Sequence, residues 1–160
     1  MTDEERGAKI GFLGRYHGIA GKITRKKDYI AFMGKMASQP SGVSYDRVMV
    51  DRTPSANPPF AIYVELRLRA ERELEALTDS LDAVGKEITD AVGRLEDEHE
   101  QSVLLCRYMD WMTWEDIAGR LYVSVSTAKR WHNAALGHLE IQSESGKNSD
   151  SEKLDRREPL

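Results

Sequence analysis

From Phe60 to Leu95 the chain repeats a spacing of three and four residues: Phe60, Tyr63, Arg67, Ala70, Leu74, Leu77, Leu81, Val84, Ile88, Ala91 and Leu95, with Arg67 the one charged member. That period puts the whole set on one side of an α-helix. At ~1.5 Å per residue the segment would run roughly 50 Å, and an apolar stripe of that length needs a second helix to cover it. Phe12, Tyr16, Ile19, Ile23, Ile30 and Met33 carry the same spacing. Residues 8–36 and 60–95 therefore predict an antiparallel helical hairpin, with a homodimeric coiled coil as the competing arrangement. Gly7, Gly11, Gly14, Gly18 and Gly21 also recur every three or four residues, on a face turned away from the stripe. Each costs ~1 kcal/mol of helicity relative to alanine. The expectation is a first helix that frays in its N-terminal half, in preference to a groove for a second backbone.

Between the two long helices, residues 37–59 hold Pro40, Pro54, Pro58 and Pro59 among Ser, Gly and Asn, which predicts a long loop. After residue 95 the helical runs become short. Asp97 to about Met109 reads as one helix. In Thr113-Trp114-Glu115-Asp116 the threonine hydroxyl can accept from the Asp116 amide while the carboxylate reaches back, and Met112 and Ile117 are spaced as a hydrophobic staple. A helix with Ile117, Ala118 and Leu121 inward comes next, then a turn through Tyr122 and Val123 to Ser124, an N-cap for a third helix. Residues 143–160 are polar and mixed in charge, which predicts a disordered tail. The fold class is all-α: a hairpin arm over residues 1–95, then a helix-turn-helix module over residues 96–142.

On the last helix, Ala128, Trp131, Ala135 and Leu139 are expected to face inward. Outward then lie Val125, Ser126, Lys129, Arg130 and Asn133. Lysine and arginine can address guanine edges or phosphates, asparagine suits adenine, and the Ser124 end adds free amides and a positive dipole. Leu121 to Leu139 contains no acid, a gap of 19 residues in a chain with 27 acids. That gap favours a DNA-facing surface over an ordinary solvated face.

The stretch of residues 95–140, read as Leu95-Glu-Asp, Ser102-Val-Leu-Leu-Cys-Arg-Tyr, Thr113-Trp-Glu-Asp-Ile-Ala-Gly-Arg-Leu, Val123-Ser124 and Ala134-Ala-Leu-Gly-His-Leu139, resembles the region-four helix-turn-helix of sigma factors. As a whole, the order of arm, loop, long helix and module is similar to small phage and prophage transcriptional regulators of the RinA/ArpU type. The resemblance implies recognition-helix contacts from Val125, Ser126, Thr127, Lys129 and Arg130. Together with Thr113, Ser124 and Asn133 they make the candidate DNA-binding set. Tyr122 stands where the turn usually has glycine. A sequence-specific regulator binding double-stranded DNA is therefore expected, with bacterial RNA polymerase as a second partner and a homodimer formed through the arm. The alternative is a helical interaction protein or a DNA-packaging adaptor resembling small terminase subunits.

Charge and composition sharpen this. The net charge of −4 excludes a uniformly basic molecule, so a nucleic-acid surface must be local. Residues 1–36 carry eight basic and four acidic side chains and residues 60–100 five basic and twelve acidic, so the two arm helices should attract each other. Cys106 is the single cysteine, read as a small core residue in a reducing compartment. The N-terminal residues lack the pattern of a signal peptide and no segment reads as a membrane span, so a cytoplasmic location is expected. His17, His99, His132 and His138 do not form a metal-ligand spacing; His132 and His138 are expected near phosphate or solvent. Neither a phosphate-binding loop nor a catalytic pair emerges, and no enzyme, metal or cofactor is expected.

Overall fold

A computed structural model describes residues 1–38 and 59–142, and these form five helices. They are α1 (Asp3–Ser38), α2 (Pro59–Val92), α3 (Glu98–Tyr108), α4 (Trp114–Leu121) and α5 (Val125–His138). The fold is all-α, with no strand among the described residues. Most of the expected loop and all of the expected tail lie outside the described residues; of the loop, residues 37 and 38 belong to α1 and Pro59 opens α2, where its missing N–H is no loss.

α1 and α2 lie antiparallel. Arg15 Nη2 sits 2.7 Å from Glu87 Oε2 and Lys26 Nζ 2.6 Å from Glu73 Oε2, so positions rise along one helix as they fall along the other. These pairs join the basic first helix to the acidic second, as the charge blocks predict. Ile23 and Met33 of α1 and Ala70 and Ile88 of α2 are buried, and Tyr16, Ile19, Leu74, Leu77 and Leu81 are half-buried. The seam is thus covered within one chain. Phe60 and Arg67, at its far end, are exposed.

Against the expectation of a frayed N-terminal half, α1 is helical from Asp3 and continuous through its glycines. Three features hold its start. Thr2 and Glu5 form a reciprocal capping box, Glu5 N–H donating to Thr2 Oγ1 at 3.2 Å and Thr2 N–H to Glu5 Oε2 at 2.8 Å. One turn further on, Lys9 Nζ donates to Leu136 O at 2.8 Å, and Leu13 is fully buried among side chains of the other helices. Tertiary packing therefore offsets the glycine penalty. Among the described residues nothing lies within 4 Å of a Cβ built at Gly7, Gly11, Gly14 or Gly18, so this glycine face makes no close approach to them.

One continuous core joins the base of the hairpin to the three short helices: Leu13, Ile88, Val92, Leu95, Val103, Leu104, Ile117, Ala135, Leu136 and Leu139. Cys106 belongs to it, and burial raises its thiol pKa, as expected of a structural cysteine. Gln101 Nε2 donates to Leu95 O at 2.6 Å, tying α3 to the end of the arm. The link from α3 to α4 is held by Arg107 Nη1 on Met112 O at 2.9 Å and by Trp111, whose ring stacks on His17 of α1 with centroids 3.5 Å apart. Trp111 has φ 54°.

Candidate nucleic-acid interface

α3, α4 and α5 start on side-chain caps, and those caps set where the outer face of α5 points. Asp97 accepts from the amides of His99 and Glu100 at the head of α3. Thr113 Oγ1 accepts from Asp116 N–H at 3.2 Å and donates to Asp116 Oδ2 at 2.7 Å, so the returning carboxylate meets the hydroxyl. Ile117 and Ala118 of α4 are buried, and Leu121 is half-buried. The turn is short. Tyr122 takes the left-handed conformation at φ 55° with its side chain 95% exposed, and Val123 N–H donates back to Ala118 O at 3.0 Å. A tyrosine thus adopts the angle usually left to glycine, at a cost of roughly 1–2 kcal/mol. Val123 packs against the core behind it.

Ser124 caps α5, accepting from Thr127 N–H at 3.1 Å and donating to Thr127 Oγ1 at 2.9 Å, with Ser126 Oγ 3.1 Å away. Ser126, Lys129, Arg130 and Asn133 are exposed and, by helical spacing, share the outer face. Val125 and Thr127 are half-buried at its edges. Thr113 lies exposed at the head of α4. No ion pair among the described residues engages Lys129 or Arg130. The Lys129 ammonium lies 5.8 Å from the centre of the Trp114 ring, whose surroundings also include the Arg107 guanidinium at 4.8 Å.

The inner face of α5 departs from expectation at three positions, Trp131, His132 and Leu136. Trp131 is half-buried at the rim, stacked on His99 with centroids 4.4 Å apart. His132 is buried in its place, with Leu136, and its Nε2 is 2.9 Å from Tyr108 Oη. The inward stripe runs Ala128, His132, Ala135, Leu136 and Leu139, a spacing that was readable; an imidazole qualifies because Tyr108 on α3 satisfies its ring nitrogen. Burial lowers the His132 pKa and raises that of Tyr108. His138 is exposed, but it is not free: Nδ1 lies 2.9 Å from Oε2 of the buried Glu100. His132 thus departs from the expected place near phosphate or solvent, whereas His138 lies in solvent as expected.

One contact has no local signal in the sequence. Arg6, in the second turn of α1, places Nη2 3.0 Å from Asn133 Oδ1 on the outer face of α5. Since they are 127 positions apart in sequence, only the folding of the arm base onto α5 brings the two together.

Residues 45–140 match the model of a family described as protein of unknown function (DUF1492), and the chain belongs to that family. The matched stretch includes α2 to α5 and leaves out α1. No curated protein and no solved structure matches.

Proposed function

We propose that this DUF1492 chain is a sequence-specific DNA-binding transcriptional regulator of phage or prophage type, which seats α5 in the major groove. The observation that carries the reading is the outer face of α5. Lys129 and Arg130 stand exposed, without ion-pair partners among the described residues, on a stretch free of acids. A helix of that kind, set by a short turn against a supporting helix whose inner residues Ile117 and Ala118 are buried, has the shape and charge to enter a groove. Lysine and arginine there would meet phosphates and guanine edges, while Ser126 can serve as donor or acceptor. The resemblance of residues 95–140 to sigma region four, and of the whole order of elements to RinA/ArpU regulators, supports the same reading.

A single module with a modest basic face generally needs a second one to bind tightly. The far end of the arm offers a contact for it: Phe32, Phe60, Ile62 and Leu68 are exposed there on both helices. Exposed large apolar side chains on both arm helices suit self-association, and they are also the one observation favouring the second reading, a helical adaptor that assembles through its arm. Electrophoretic mobility of a duplex library with the full chain tests the first reading. Lys129→Ala with Arg130→Ala should abolish the retarded band, and a band that persists unchanged would refute it.

A further inference from the structure

The contact between Arg6 and Asn133 changes what the outer face of α5 can read. An asparagine reads adenine by using both ends of its amide: the carbonyl oxygen accepts from N6 while the amide nitrogen donates to N7. Here the carbonyl oxygen of Asn133 already accepts from a guanidinium at 3.0 Å, a charge-assisted bond stronger than its neutral counterpart. The guanidinium takes one of the two acceptor positions of that oxygen and sets its own donors beside the other, so the fully open end of Asn133 is its NH2 group. Beside it stands the remainder of the Arg6 fork, which has donors only. Asn133 shares its face with Arg130 one turn earlier, so these donors continue the cationic surface.

We infer that Arg6 of the arm and Asn133 of α5 form one composite donor site for an acceptor-only group of duplex DNA, either the O6/N7 edge of guanine or a backbone phosphate, and that Asn133 does not read adenine. This rests on the DNA-binding reading of α5. It adds that the first helix, which lies outside the matched family stretch, supplies part of the recognition surface. An adenine at this position would turn its N6 donors toward the site's own donors and be disfavoured.

Selection of bound duplexes from a randomised library, followed by salt titration on a recovered duplex, tests this with the full chain. For the wild type, a guanine edge as ligand gives a preferred guanine that disappears in both Arg6→Ala and Asn133→Ala. A phosphate as ligand leaves the selected sequence unchanged in both, while Arg6→Ala lowers the slope of log affinity against log salt by about one. Either outcome supports the composite site, with an affinity loss of about tenfold. Lys22→Ala is the control for loss of an α1 charge, since Lys22 is exposed about four turns beyond Arg6 along the helix; it should alter neither sequence nor slope. A preferred adenine lost only in Asn133→Ala would overturn the inference. So would an Arg6→Ala protein identical to wild type, or the same change in Lys22→Ala. If Lys129→Ala with Arg130→Ala abolishes binding while Arg6→Ala changes nothing, only this inference fails. If that double variant binds as the wild type does, the DNA-binding reading of α5 fails with it.

Discussion

At the residue scale, the two side chains that depart furthest from simple patterning, Tyr122 and His132, are both explained by what surrounds them. Tyr122 holds a left-handed backbone angle while its ring stays in solvent, so it accepts strain without gaining packing. Tyr122→Gly should therefore stabilise the fold by roughly 0.5–1 kcal/mol, raising the thermal midpoint. His132 is different, being buried with Tyr108 as its hydrogen-bond partner. Its pKa in the folded chain lies below the ordinary value of 6.5 because burial disfavours the imidazolium. As pH falls below ~6.5 the unfolded chain takes up a proton that the folded chain refuses, so stability is full above that pH and declines toward the depressed value. Denaturant titrations between neutral and mildly acidic pH should show that decline, and His132→Gln should flatten it while lowering stability at neutral pH. A wild-type profile that rises on acidification would contradict this assignment. Residue burial was the least legible level in the sequence: Trp131 looked like the inward member of α5, yet the stripe through Ala128, Ala135 and Leu136 takes in the imidazole, which becomes tolerable only once α3 brings Tyr108 to it.

Elements were more legible because their signals are local. Thr113 and Ser124 are recognisable caps and start α4 and α5 as their sequences predict, while Asp97, expected as the first residue of its helix, caps α3 instead. Ser124→Ala should cost about 1 kcal/mol and loosen the first turn of α5, measurable as a lower melting midpoint and faster amide exchange at Thr127. The glycines of α1 show the opposite case. Their intrinsic cost is real, but Leu13, Lys9 and the Thr2–Glu5 box hold the helix through contacts that propensity does not see. Since nothing lies within 4 Å of a Cβ at Gly11 or Gly18, alanine there should stabilise by up to ~1 kcal/mol each. Gly85 contrasts with them. An added Cβ would stand 3.1 Å from Tyr16 Cε2, so Gly85→Ala must displace that ring and gain less, or lose. Equal gains at all three sites in thermal melts would show that the arm packs otherwise.

Across the whole molecule, the arm and the short helices share one core, and that continuity gives α5 its fixed aim. Leu13, Ile88 and Leu95 of the arm region meet Val103, Ile117 and Leu136 of the short helices. Leu81→Asp in the seam should put a charge against the apolar interior of the hairpin and lower stability by a few kcal/mol, seen as a large drop in the melting midpoint. The hairpin itself was legible because two stripes of equal period and opposite charge imply each other. The candidate site was legible only on its own helix, where an acid-free run carries Lys129 and Arg130. What Arg6 adds comes from a distant part of the chain, through tertiary contact alone. Whether α5 presents its outer face to duplex DNA is decided by amide chemical-shift mapping of the labelled chain as a duplex is added. The largest shifts are expected at Ser124 to Arg130 and at Asn133, vanishing at high salt; shifts confined to the outer arm around Phe32 and Leu68, or none at all, would contradict a DNA-facing α5.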